Sequence, residues 1–202
     1  FSVTMPLKSE AHRLCAVLDP IAQESGVVNT LFRLAGDAQT PRWAGFNTDV
    51  AGLAAALRRA GLDLTRTVVL GAGATAVSAL LAARTLGAAE VTVLARRTEA
   101  AEQLAARFHG TLREGGAAAT GISVRGWALD DARAAALPLR ATAVISTLPG
   151  DAGERIALPA GITALPMFDV AYDPWPSPLA VRWRAAGGEA TPGLAMLVEQ
   201  AL

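Results

Sequence analysis

The sequence predicts an α/β fold: a parallel sheet with helices on both faces, joined to a smaller, partial α/β lobe. Three observations carry this. From Thr65 onward, apolar β-type runs alternate with helix-forming stretches, and such alternation implies a parallel sheet covered on both sides. A glycine-rich turn follows the first of those runs and opens a helix. Before Thr65 the chain reads differently, as short extended pieces, a turn-rich stretch and one amphipathic helix. Hydrophobic residues make up 52% of the 202 residues and charged ones 18%, so a sizeable core can form and extended disorder is excluded.

Taken in order, Phe1–Thr4 reads as a short strand, broken at Met5-Pro6-Leu7-Lys8, where Pro6 can open a helix. Gly26–Phe32 is β-rich, residues 35–41 form a turn region, and Arg42–Phe46 is extended again, which predicts a hairpin. Asn47 or Thr48 can cap the next helix, whose Val50, Leu53, Ala54 and Leu57 fall at i, i+3, i+4 and i+7. Gly61 ends it, and this helix is the expected connector between lobes. Then come a strand at Thr67–Leu70, a helix over Val77–Leu86 stopped by Gly87, a strand at Glu90–Ala95 and a helix over Glu99–Phe108. Residues 110–126, with five glycines among them, read as a loop with one strand at Ile122–Val124. Ala143–Ser146 and Met167–Val170 are further buried strands. A helix covers Leu179–Ala186, and a last helix Gly193–Leu202, with Pro192 at its start.

Formal net charge is 0. That balance argues against nucleic acid and against an anionic membrane surface, which both favour excess Lys and Arg. Cys15 is the single cysteine, so neither a disulfide framework nor a cysteine metal cluster is expected, and no metal site is assigned. A cytoplasmic location fits. All but one of the 18 basic residues are arginine, the exception being Lys8. Arginine does not release its proton in a protein, whereas lysine can. Lys8 is therefore a candidate for proton chemistry.

Gly71-Ala72-Gly73-Ala74-Thr75-Ala76 is G-x-G-x-x-A between a predicted strand and helix. The first glycine permits the tight turn, the second lets backbone approach a pyrophosphate, and a small third residue lets helix pack on strand. The helix N-terminus adds free N–H groups and a positive dipole. This predicts a Rossmann-type dinucleotide-binding domain. The next strand ends at Leu94-Ala95 and is followed by Arg96-Arg97-Thr98. An NAD site usually places Asp or Glu there, whereas two arginines suit a 2′-phosphate, so NADP(H) is the expected cofactor.

Several segments together resemble one family. Ser2-Val3-Thr4-Met5-Pro6-Leu7-Lys8 is similar to N-V-T-x-P-x-K, and Val27-Val28-Asn29-Thr30 to A-V-N-T. Gly45-Phe46-Asn47-Thr48-Asp49-Val50-Ala51-Gly52 matches G-x-N-T-D-x-x-G. Asp169–Pro174 matches D-x-x-Y-x-P, and Gly193–Gln200 matches G-x-x-M-L-x-x-Q. In this order around a Rossmann turn, they resemble the shikimate dehydrogenase family, which includes shikimate and quinate dehydrogenases.

The resemblance implies NADPH-dependent reduction of 3-dehydroshikimate to shikimate, on the route to chorismate and the aromatic amino acids. It implies that Lys8 and Asp49 are the catalytic pair. Thr4, Asn29, Asp49, Tyr172 and Gln200 would contact substrate. Thr147, Val170 and Gly193 would line the nicotinamide side of the cofactor, whose other contacts are the Gly71–Ala76 turn, Arg96 and Arg97. The expected domains are residues 1–48, completed by 193–202, for substrate, and 49–192 for NADP. A monomer or a homodimer is expected. The family's front strand–helix unit with its Ser-x-Ser pair, and the end of its last helix, have no counterpart in this sequence. Two alternatives stand beside the main reading: a quinate/shikimate paralogue, and an inactive or regulatory nucleotide-binding homologue. Ser2, Leu7, Ala76, Ala95 and Ala195 depart from the family's usual residues.

Overall fold

The computed structural model describes residues 1–35, 41–111 and 121–201, without the side chains of residues 132, 138 and 139. Two sheets organise them. The smaller has three strands, β1 (Cys15–Leu18), β2 (Thr30–Arg33) and β3 (Trp43–Phe46), in the order β1-β3-β2. The predicted hairpin is present as the antiparallel pair β2–β3. Strand β1, which pairs with β3 in parallel, was not expected. Its four residues follow directly on helix α1 (Lys8–Leu14) with no glycine or proline between, so no local signal marks the change. The predicted N-terminal strand is reduced to a single bridge, Ser2 to Thr30. Helix α1 opens at Lys8 instead of Pro6, and helix α2 (Pro20–Ser25) is capped by Asp19, whose Oδ1 accepts from the Ala22 amide at 2.8 Å. Part of the expected turn region, residues 36–40, lies outside the described residues.

The larger sheet is parallel throughout. Its strands are β4 (Arg66–Leu70), β5 (Glu90–Ala95), β6 (Ser123–Ala128), β7 (Ala143–Ser146), β8 (Met167–Asp169) and β9 (Ala190–Pro192). Their order is β6-β5-β4-β7-β8-β9. The chain runs outward from β4 to one edge, then returns to β7 and runs to the other. The order therefore reverses between β4 and β7, and ligands of open α/β sheets bind at that switch, beyond the carboxyl ends of the strands. Strand β6 is longer than the expected Ile122–Val124. Strand β9 lies where the sequence suggested the start of a helix; the parallel ladder to β8 overrides the breaker Pro192 at its last position, on a sheet edge where a missing N–H costs little.

The strand residues explain the layers. In β4, Val69 points into a core shared with helices α3 (Asp49–Arg59), α4 (Ala74–Thr85) and α5 (Thr98–Phe108). Its neighbours Val68 and Leu70 point into a second core with Leu179, Ala180 and Trp183 of helix α6 (Pro178–Ala185). Burial on both faces is why these strands read as continuous apolar runs. Trp183 is fully buried, and its indole N–H donates to the Leu165 carbonyl at 2.9 Å. Gly126 lets α5 lie directly on β6, because a Cβ there would sit 2.2 Å from the Ala101 carbonyl. No helix among the described residues is long and apolar enough to cross a membrane.

Two ties run from Glu24 of the small lobe to the large sheet's helices. Arg84 of α4 makes a two-pronged bond to Glu24 of α2, Nη1 to Oε1 at 2.5 Å and Nη2 to Oε2 at 2.8 Å. Arg107 of α5 also donates to the Glu24 carbonyl. The Arg84 hydrogen bonds and the nearby guanidinium charges hold the Glu24 carboxyl below its usual range, against partial burial. A depressed carboxylate stabilises the fold above its ordinary titration range and stops doing so as the pH falls through it. Glu24→Gln is therefore expected to be less stable than the parent near neutral pH, with the gap closing in acid, as read by denaturant melts across that range. Gly126→Ala is expected to cost about 1–3 kcal/mol, because α5 must lift from the sheet; equilibrium unfolding checks this.

Candidate active site

The site is assembled from the ends of four elements. Lys8 opens α1, Asp49 opens α3, Asn29 precedes β2, and Gln200 follows helix α7 (Leu194–Glu199). Lys8 Nζ donates to Asp49 Oδ2 at 2.5 Å, and the two side chains are only 11% and 2% exposed. Burying either charge alone is costly, so each requires the other. Asp49 also profits from the N-terminus of an 11-residue helix.

A polar frame fixes this pair. Asn29 Nδ2 donates to Asp49 Oδ1 at 2.9 Å and to Thr48 Oγ1 at 2.8 Å. Asn29 Oδ1 accepts from the Thr48 amide at 3.0 Å and from Thr30 Oγ1 at 3.1 Å. With donors and acceptor all engaged, the amide has one orientation. Asn47 does the capping expected at the start of α3: its Oδ1 accepts from the Asp49 amide at 3.1 Å, while Thr48, at the N-cap position, makes no side-chain cap bond. Asn47 Nδ2 reaches Ser25 Oγ of α2 at 2.9 Å and Ser78 Oγ of α4 at 3.4 Å. One buried amide thus ties the helix that carries Asp49 to both lobes. The sequence offered Asn47 only as a cap or turn residue; Ser25 and Ser78 carried no signal.

A cavity of about 350 Å³ opens beside the pair. Thr4, Lys8, Asn29, Asp49, Tyr172 and Gln200 line it, and so do Thr75, Val170 and Gly193. Ser2, Val3, Met5, Met196 and Leu197 complete the lining; they lie in the matched motifs but were not among the expected site residues. Tyr172 stands at the rim, 48% exposed. Two glycines set the walls. A Cβ on Gly52 would lie 2.7 Å from the Gln200 amide nitrogen, so α7 can close on α3 only because none is there. A Cβ on Gly193 would lie 2.2 Å from the Val170 carbonyl oxygen.

The glycine-rich turn lies at the sheet's switch point. Gly71 has φ +109°, and a Cβ there would meet Thr147 Oγ1 at 2.5 Å. Thr147 in turn donates to the Leu70 carbonyl at 2.8 Å, so its hydroxyl is spent on joining β7 to β4. A Cβ at Gly73 would meet nothing within 4 Å, which leaves that side open to an incoming group. Ala76 is fully buried beneath the 12-residue helix α4, which begins at Ala74. Its first N–H groups lack helical partners and no side chain caps them. This cradle fits a pyrophosphate.

Arg96 lines a second cavity, of about 410 Å³, with Leu148, Pro149, Asp151, Ala152, Glu154, Arg155 and Ile156. Leu148 also lies 3.7 Å from the Cβ position of Gly71, so this cavity adjoins the turn. Arg97, paired with Arg96 in the sequence reading, is the exposed N-cap residue of α5 and is absent from the cavity lining. The strand ends at Ala95 and the helix starts at Thr98, so Arg96 and Arg97 are the two residues of the intervening turn. Among the described residues no group of three or more His, Cys, Asp or Glu side chains gathers as a metal site.

No protein-family model matches the chain. Curated relatives do. It is 36% identical over 201 residues to the shikimate dehydrogenase (NADP(+)) of Anaeromyxobacter sp. strain Fw109-5, covering 98% of this chain and 67% of that protein. It is 34% identical over 205 residues to the enzyme of the same name from Methanosarcina mazei, covering 98% and 69%. The chain belongs to the shikimate dehydrogenase family. Among solved structures, Mycobacterium tuberculosis shikimate dehydrogenase superposes with a TM-score of 0.78 at 34% identity, covering 99% of this chain and 70% of that one. The Thermus thermophilus enzyme, in complex with NADP(H) and shikimate, gives a TM-score of 0.75 at 26% identity over 98% and 68%.

Removing one partner of the buried pair leaves the other charged and unpaired. Asp49→Ala is therefore expected to cost about 3–5 kcal/mol of folding stability, measured by denaturant unfolding. Gly52→Ala should displace α7 and raise KM for substrate, read by steady-state kinetics.

Proposed function

We propose that this chain catalyses its family's reaction, the NADPH-dependent reduction of 3-dehydroshikimate to shikimate, within the route to chorismate and the aromatic amino acids. The observation that carries this is the Lys8–Asp49 pair, 2.5 Å apart, facing a cavity that is also lined by Thr75, Val170 and Gly193. Proton chemistry thus shares one space with Val170 and Gly193, two of the three residues expected beside the nicotinamide; the third, Thr147, is not in that lining. The relatives' NADP(+) names and the NADP(H)–shikimate complex of the Thermus enzyme support the same cofactor and substrate.

The division of labour follows from the residues. When bound, NADPH supplies a hydride to the substrate carbonyl carbon. Lys8 holds an ammonium where negative charge develops on the carbonyl oxygen, stabilises it and delivers the proton. Asp49 keeps that ammonium in place through Oδ2 and offers its carboxylate to a neighbouring substrate hydroxyl. Thr4, Asn29, Tyr172 and Gln200 orient the remaining hydroxyls and the carboxylate. The Gly71–Ala76 turn holds the pyrophosphate, with Thr147, Val170 and Gly193 on the nicotinamide side. Arg96 takes the 2′-phosphate, and Arg97 contributes to the positive end of that site. Residues 1–48 with 193–202 form the substrate lobe and 49–192 the NADP lobe; the two separate sheets support this division. The retained ion pair counts against an inactive regulatory homologue, and no observation favours quinate over shikimate.

Oxidation of shikimate with NADP, followed by nicotinamide absorbance and repeated with quinate, tests the proposal; turnover with shikimate is expected, and none with either substrate rejects it. Lys8→Ala should abolish turnover while NADP(H) still binds; a normal kcat would remove Lys8 from the mechanism. Arg96→Ala should weaken NADPH far more than NADH, and equal losses in a binding titration would reject the 2′-phosphate assignment.

A further inference from the structure

Asp169 ends β8 and is 1% exposed. Among the described residues it has no ion-pair partner. Burial pushes its carboxyl above the usual range, although hydrogen bonds from Ser177 and the Ala171 amide oppose this, and Ser146 on the neighbouring strand favours the charged form as well. A buried carboxyl without a cation is a net cost to folding. Stability is therefore a weak reason for an aspartate here, and its bonds point to a local positioning role. Oδ1 accepts from the Ala171 amide at 3.3 Å. Oδ2 accepts from Ser177 Oγ at 2.5 Å, and Ser177 Oγ in turn accepts from the Ala180 amide at the start of α6 at 3.0 Å. Between these anchors runs the segment that holds Val170 and Tyr172, both on the wall of the main cavity. The Ala171 carbonyl then accepts from the Gly193 amide at 3.1 Å, and Gly193 lies against Val170.

We infer that Asp169 is a positioning residue for the reaction: by holding the Ala171 amide and the Ser177 hydroxyl together, it sets the place of Val170 and Tyr172 and, through Ala171 and Gly193, the start of α7. It touches neither substrate nor cofactor. The inference rests on the reading of the main cavity as the substrate site.

Four proteins test it: the parent chain, Asp169→Ala, Asp169→Asn and Ser177→Ala. The readouts are KM and kcat for shikimate, KM for NADP, the melting midpoint and hydrogen exchange at the Ala171 amide. Asp169→Ala should raise KM for shikimate about tenfold, with a smaller rise in KM for NADP because Val170 and Gly193 also border the expected nicotinamide side. Its melting midpoint should fall little, because the lost hydrogen bonds are offset by removal of a buried carboxyl, and the Ala171 amide should exchange faster. Asp169→Asn keeps an oxygen for that amide and should restore KM to within about threefold of the parent. Ser177→Ala removes the cap of α6, and should lower the midpoint while moving KM less than Asp169→Ala does. A parental KM in Asp169→Ala overturns the inference. So does a loss that Asp169→Asn fails to rescue, or one that tracks the melting midpoint across the series. If the parent chain itself turns over neither shikimate nor quinate, the substrate-site reading fails. Exchange at Ala171 then still decides whether Asp169 holds the segment.

Discussion

A lysine ammonium and an aspartate carboxylate, almost wholly removed from water and 2.5 Å apart, set the terms for the rest of the small lobe. Neither charge is tolerable there alone, and a single salt bridge leaves the carboxylate's second oxygen to be satisfied. Asn29 supplies that bond, and Asn47 fixes the helix on which the carboxylate rides. The polar residues around the pair are thus consequences of putting it there. The cavity gains a cation held at a defined point, with donors to spare beyond the one taken by Asp49.

The second constraint is the meeting of two lobes. The dinucleotide cradle belongs to the parallel sheet, whereas Lys8 and Asn29 belong to the small lobe. Chemistry needs both at one carbonyl, so the lobes require fixed contacts as well as a gap. Asn47 to Ser78 and Glu24 to Arg84 are such contacts, and α3 with α7 forms the floor they share. Glycines 52 and 193 let that floor close. The tightest approaches in the site are therefore made by residues with no side chain.

Much of this was legible in the sequence because its signals are local. The G-x-G-x-x-A turn follows a doubly buried strand, and its glycines do what backbone geometry requires. The amphipathic stripe Val50, Leu53, Ala54, Leu57 became α3, and the lone lysine stands in a buried ion pair beside the main cavity. What was missed depends on distant partners. Strand β1 exists only through β3, and β9 only through β8. Ser25 and Ser78 matter because Asn47 lies between them, and nothing in their own neighbourhoods says so. Adjacent Arg96 and Arg97 read as a pair, yet only Arg96 lines the second cavity.

In the proposed mechanism, Lys8 and Asp49 face the substrate atom that gains the hydride. The most direct measurement is a crystal structure of this chain with shikimate and NADP(H) bound. The oxidisable hydroxyl is expected within about 3 Å of Lys8 Nζ, with a neighbouring hydroxyl on Asp49 and the nicotinamide against Val170 and Gly193. Shikimate bound away from the ion pair, or a nicotinamide seated outside that cavity, would contradict it.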